Sequence, residues 1–140
     1  MQYRVNPKNG DSLSQLGLGC MRLPRRGVQI DQAKTNEMIG YAIAHGINYF
    51  DTAHMYPGAE EALGNALATL GQRDQVFIAT KLPIIQCKKP EDFDKICATE
   101  LARLQTDQHD DYFLHMLCKL HPWERLRHLG IEARLAERLV

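Results

Sequence analysis

The chain carries no excess of charge: 17 Lys and Arg are matched by 17 Asp and Glu, and the pI is near 7. A dedicated nucleic-acid binder shows a basic surplus, so no nucleic-acid partner is expected. Lys and Arg are scattered, and the short pairs Arg25-Arg26 and Lys88-Lys89 read as solvated surface. Long hydrophobic runs are also missing. No stretch approaches the ~20 apolar residues that span a bilayer. The opening MQYRVNPKNG holds no apolar segment of the signal-peptide kind. No membrane association is expected, and the expected location is cytoplasmic. Cysteine is sparse and dispersed: Cys20, Cys87, Cys97 and Cys118 form no C-x-x-C pair. Their spacing suits neither a zinc site nor an iron–sulfur cluster, so no metal is expected. Free thiols in a reducing compartment are the expectation, with Cys20 and Cys97 as packing residues in apolar stretches.

No low-complexity tract or linker divides the 140 residues, which suffice for one domain. The 44% apolar content is enough to build a core. Short apolar runs recur roughly every 30 residues, the length of one strand–helix unit: LGLGCMRL at 16–23, INYFD at 47–51, QVFIATK at 75–81 and DYFLHML at 111–117. Between them the sequence reads as helix. One helix opens at the N-cap residue Asp31 and closes at Gly46, with Met38, Ile39, Ala42 and Ile43 on one face. A second carries Leu63, Leu67 and Leu70 and stops at Gly71, and a third begins at Pro90 and aligns Phe93, Ile96, Leu101 and Leu104. The segment from His121 onward, with Trp123, Leu126, Leu129, Leu135 and Leu139, reads as one further helix.

Near-continuous apolar strands alternating with helices indicate an α/β fold with a parallel sheet. Two architectures fit: a small open sheet, or part of a (β/α)₈ barrel. A full barrel takes about 250 residues, so four units amount to half of one.

Asp51, Lys81 and His115 end the second, third and fourth apolar runs, and Tyr56 follows in the loop after the second. Parallel strands bring such positions to one rim, where α/β folds bind and transform small molecules. Each residue alone has a plain structural reading: a cap, a loop residue, a solvated strand end, a core histidine. As a set they suit carbonyl reduction. A tyrosine can give a proton to a carbonyl oxygen that is gaining negative charge. An ammonium about 4 Å away would favour the phenolate by on the order of 4 kcal/mol at an effective dielectric of 20. A carboxylate can hold that ammonium, and a histidine can orient the carbonyl.

NYFDTAHMYPGAEEALG resembles the aspartate–tyrosine signature of the aldo-keto reductase family, with Glu60, Leu63 and Gly64 at the family's spacing. VFIATKLP resembles the strand that carries the family's lysine, TDQHDDYFLHML the strand that carries its histidine, and LGLGCMRLP its first strand and loop. The resemblance runs from about Tyr3 to the last helix, and it is closest to a bacterial branch with a C-terminal iron–sulfur segment whose clustered cysteines are absent here. It implies the N-terminal half of a (β/α)₈ barrel: a single domain over residues 1–140, truncated relative to the family. It implies a tetrad of Asp51, Tyr56, Lys81 and His115, nicotinamide-side contacts from Met21, Arg22 and Asp51, and NADP(H)-dependent interconversion of an aldehyde or ketone and an alcohol. Most of the family's cofactor contacts come from the second half of the barrel. An alternative follows, a catalytically incomplete half-barrel that does not bind the nicotinamide cofactor. Either way, open edges at the first and fourth strands point to self-association, with the Trp123 helix as a candidate cover for one edge.

Overall fold

The computed structural model describes residues 1–138, so Leu139 lies outside the described residues. The chain opens with an antiparallel hairpin of β1 (Tyr3–Val5) and β2 (Ser12–Ser14). Then come β3 (Leu18–Gly19), a 3-10 turn over Cys20–Arg22, and a second small hairpin of β4 (Arg25–Arg26) and β5 (Gln29–Ile30). The remaining elements alternate: α1 (Gln32–Ala44), β6 (Tyr49–Asp51), α2 (Ala59–Leu70), β7 (Phe77–Pro83), α3 (Pro90–Leu104), β8 (Asp111–His115), α4 (Leu120–His128) and α5 (Ile131–Arg138). The main sheet has the order β3-β6-β7-β8 with every neighbouring pair parallel. Four strands, each followed by helix and laid side by side in chain order, make the α/β half-barrel expected from the sequence.

Local chemistry explains the boundaries. Asp31 caps α1 by accepting from the Lys34 backbone N–H at 3.2 Å, a contact worth ~1 kcal/mol. Pro90 occupies the first turn of α3, where its missing N–H costs nothing. The single terminal helix expected from the sequence is two, because Gly130 adopts a left-handed φ of 68° between α4 and α5. The first strand is also shorter than expected, since Cys20, Met21 and Arg22 turn away in the 3-10 segment. The two hairpins had no anticipated counterpart.

Strand alternation sorts the side chains by face. Phe50, Ile78 and Leu82 point toward the helices and are fully buried. Phe50 and Ile78 join Ile39, Leu63 and Leu67 of α1 and α2 in one core cluster, and Leu82 joins Phe93, Leu126 and Ile131 in a second under α3, α4 and α5. Burying a side chain the size of Phe93 contributes about 2–3 kcal/mol. Asp51, Lys81, Phe113 and His115 fall on the other face. That face is open: Phe113 is 46% exposed. The expected edges are present as well, for β3 and β8 each have a single neighbour in the sheet. Trp123 lies beside β8 in a shallow cleft with Leu114, Leu117 and Leu120. Among the described residues no helix is long and apolar enough to cross a membrane.

Candidate active site

Asp51 is the last residue of β6 and His115 the last of β8, as the sequence indicated. Lys81 is not terminal. β7 continues two residues to Pro83, which pairs in register with His115. Proline tolerates that final position because its missing N–H is not asked to donate to the ladder. The extra length holds Lys81 in register with Phe113 of β8 rather than at a free end.

The lysine is fixed from two directions. Its Nζ donates to Asp51 Oδ1 at 2.6 Å and to the Thr52 carbonyl at 2.7 Å. That carbonyl is itself anchored, because the Thr52 N–H donates to Ala79 O at 2.8 Å and extends the ladder one residue past Asp51. The Lys81 side chain is 16% exposed and that of Asp51 39%. Tyr56 sits in the turn into α2: its N–H donates to Ala53 O at 3.0 Å, and its carbonyl accepts from Ala59 N at 3.0 Å. Lys81 Nζ stands 5.2 Å from the Tyr56 ring centroid. The His115 ring meets the same ring edge-on, with centroids 5.7 Å apart and planes at 89°. The four side chains named from the sequence are therefore one cluster.

His115 is the electrostatically informative member. Burial, and then the Lys81 charge, hold its imidazole below the ordinary histidine value, with Asp51 opposing. Its Nδ1 is buried and has no hydrogen-bond partner. The ring also lines an adjacent cavity, so a neutral imidazole is open to a ligand oxygen there. Cys20, fully buried beside this pair, is a poor nucleophile: burial, then Asp51, push its thiol up to about 12. Met21 and Arg22 are exposed on the turn that follows Gly19, and Gly19 pairs in register with Asp51.

A cavity of about 340 Å³ opens beside the cluster. His115 forms one wall, and Met55, Pro83, Ile84 and Met116 supply apolar lining, with Arg125 of α4 also facing it. Sequence reasoning missed this chamber, because no motif marks Ile84 or Arg125. It also missed a polar layer on the helix side of the sheet. There Thr80 Oγ1 donates to the buried Glu60 at 2.7 Å, and Arg103 meets the same carboxyl at 3.2 Å. Glu100, fully buried, accepts from Tyr112 OH at 2.7 Å and faces His54 at 3.3 Å. The available signal was Glu100 on the stripe of α3 that also carries Phe93, Ile96 and Leu104.

Residues 15–135 match the model of the Aldo/keto reductase family. The chain is 34% identical over 128 residues to Aldo-keto reductase str7 of Strobilurus tenacellus, covering 84% of this chain and 38% of that protein. It is 33% identical over 135 residues to Protein tas of Escherichia coli, covering 82% and 38%. Among solved structures, an aldo-keto reductase from Klebsiella pneumoniae in complex with NADPH superposes with a TM-score of 0.71 at 28% identity, over 93% of this chain and 47% of that one. The holo form of an aldo-keto reductase from Bacillus halodurans gives 0.68 at 29%, over 94% and 47%. The chain thus spans about two fifths of the length of these curated relatives. With the family match running through all four strand–helix units and the half-barrel geometry agreeing with it, the chain belongs to the aldo/keto reductase family.

Proposed function

We propose that this chain carries the proton-transfer machinery of an NADP(H)-dependent oxidoreductase that interconverts an aldehyde or ketone and an alcohol. The observation that carries this reading is the pairing of Lys81 with Asp51 at 2.6 Å next to a tyrosine ring that His115 meets edge-on. A reduced nicotinamide, when bound, supplies the hydride. The protein's own residues handle the proton. Tyr56 gives its phenolic proton to the carbonyl oxygen as negative charge gathers there. Lys81 stabilises the phenolate left behind, and Asp51 and the Thr52 carbonyl keep the ammonium in place. His115, whose ring lines the adjacent cavity, hydrogen-bonds the carbonyl oxygen and orients it.

Met21, Arg22 and Asp51 are suited to the nicotinamide end, since an exposed apolar side chain and a cation follow Gly19, the register partner of the Asp51 carboxylate. The chain acts as one half-barrel domain, and the rest of the cofactor's contacts come from a complementary half. Without a held nicotinamide, hydride transfer forgoes a proximity advantage worth about 7–11 kcal/mol. A cofactor titration combined with a mass measurement on the same sample tests this directly. NADPH binding should saturate, and Tyr56→Phe should abolish turnover while leaving that binding intact. Unchanged turnover in the variant removes Tyr56 from the role of acid.

A second reading rests on a different observation. Phe113, Met116 and Leu117 stand 46%, 74% and 41% exposed on and just past the edge strand β8, and exposed apolar side chains at an open sheet edge favour association. In this reading the half-barrel self-associates and binds no nicotinamide. Oligomers by light scattering with no saturable NADPH binding at millimolar concentration select it; a monomer with reductase activity eliminates it.

A further inference from the structure

The chamber beside His115 carries a positive charge that the protein itself does not neutralise. Arg125 is half-buried on α4, held there by its neighbour Leu126, which is fully buried in the core with Leu82 and Phe93. Its Nη2 donates to the Ile84 carbonyl at 2.5 Å, and its Nε is buried with no hydrogen-bond partner. Among the described residues, ion pairs engage Arg26, Arg73, Arg103, Arg127 and Arg134, whereas Arg125 has no carboxylate within that range. Cys87 nearby offers no counter-charge, since burial pushes its thiol up to about 11. A guanidinium drawn out of water is ordinarily paired, because its desolvation is otherwise unrecovered.

The rest of the chamber is apolar. Met55, Pro83, Ile84 and Met116 line it together with His115 and Arg125, and its volume of about 340 Å³ suits a small aromatic or branched aliphatic molecule. His121 also borders it, but as an exposed side chain at the mouth. The same chamber therefore holds the imidazole assigned to the carbonyl and a cation, with apolar side chains for most of the rest of its lining. We infer that the chamber selects carbonyl compounds that also bear a carboxylate, with Arg125 as the residue that receives the anion. The inference builds on the reductase reading above, since that reading puts the carbonyl at His115.

Its test does not need turnover. Benzoate and benzamide share a ring and differ in charge, and their binding to the purified chain can be followed by ligand-observed NMR or calorimetry. Benzoate should bind roughly ten- to hundred-fold more tightly than benzamide, the range expected for a charge-assisted pair. Arg125→Gln should bring that ratio close to one, and Arg125→Lys, which keeps the charge without the fork, should restore part of it. Circular dichroism of each variant confirms that the fold is retained, and the Lys variant serves as the folded comparison if the Gln variant is unstable. A ratio near one in the parent chain overturns the inference, as does a preference for benzoate that survives in Arg125→Gln. Failure of the two readings stays distinguishable. An Arg125-dependent anion preference without reductase turnover defeats only the enzymatic assignment, and turnover of neutral aldehydes without that preference defeats only the carboxylate selectivity.

Discussion

Asp51 and Lys81 meet on a diagonal. The residue in register with Asp51 is Ala79, and Lys81, two positions further along β7, reaches back to place Nζ 2.6 Å from Asp51 Oδ1. The diagonal keeps the lysine stem against the sheet and brings the ammonium under Tyr56. Because the Asp51 side chain is 39% exposed, the pair contributes little to folding, ~1 kcal/mol or less. Asp51→Asn should therefore leave the urea midpoint almost unchanged. It removes the charge that holds Lys81, so turnover should fall on the order of 10²-fold, in line with general acid–base contributions. A loss of more than ~2 kcal/mol of stability with turnover intact would mark the pair as structural.

Gly64 in the family-like stretch has a packing reason. A Cβ at that position would meet the Arg103 carbonyl at 2.5 Å and the Leu104 backbone at 2.8 Å, so the end of α3 rests directly on α2. Backbone cannot yield as a flexible side-chain tip can. Gly64→Ala should destabilise by about 2–3 kcal/mol, the cost of forcing packed elements apart. Gly40→Ala is the control, since its Cβ would meet only Leu70 at 3.5 Å. A helical Gly→Ala change without a clash should be neutral or stabilising by up to ~1 kcal/mol. Thermal melts of the two variants should move in opposite directions or differ by several degrees.

The thiols should divide by burial. Cys20, Cys87 and Cys97 are buried, and Cys118 is exposed just past β8. Burial raises the first two thiols toward about 12 and 11 and suppresses their thiolate fraction. Titration of the folded chain with a disulfide reagent should modify Cys118 promptly, with Cys20, Cys87 and Cys97 following only in denaturant. Prompt modification of more than one thiol in the native chain would contradict the packing around α3 and β7.

Much of this was readable because strands and helices of parallel folds alternate with a regular period. Asp31, Pro90 and Gly71 marked helix ends by local chemistry, and the apolar stripes of α1, α2 and α3 gave most of their buried faces, although Leu70, at the last turn of α2, is exposed. The cluster of Asp51, Tyr56, Lys81 and His115 followed from parallel strands sharing a rim. What escaped was set by long-range contacts. Arg25-Arg26 reads as surface because it is exposed, and nothing local shows that Arg25 donates to the Pro57 carbonyl at 3.1 Å and ties the small hairpin to the turn before α2. The extension of β7 past Lys81 depends on β8 continuing alongside, and the break at Gly130 on packing Leu126 and Ile131 into one cluster. The Arg125 chamber exists only once α4 folds over the loop after β7.

Glu100 gives the clearest pH dependence. Burial raises its carboxyl from 4.5 to about 8 in the folded chain, with Glu60 adding and Tyr112 and Arg103 opposing, and its side chain is fully inaccessible. Between the unfolded value and about 8, the folded state holds a proton that the unfolded state has lost. Folding stability from this group is thus complete below the unfolded value and declines as pH rises toward 8. His54, lowered chiefly by burial and next by Arg103, acts in the opposite sense: its contribution is lost as pH falls through the histidine range. His109, 3.9 Å from the same carboxyl, also faces it. Glu100→Gln retains an acceptor for Tyr112 OH but cannot ionise. The variant should gain stability relative to the parent chain at pH 8, by about 2–4 kcal/mol from a shift of this size, and show little gain at pH 5. Urea denaturation at the two pH values measures the difference. An equal effect at both would mean that Glu100 is already ionised in the folded protein, held charged by His54 and His109.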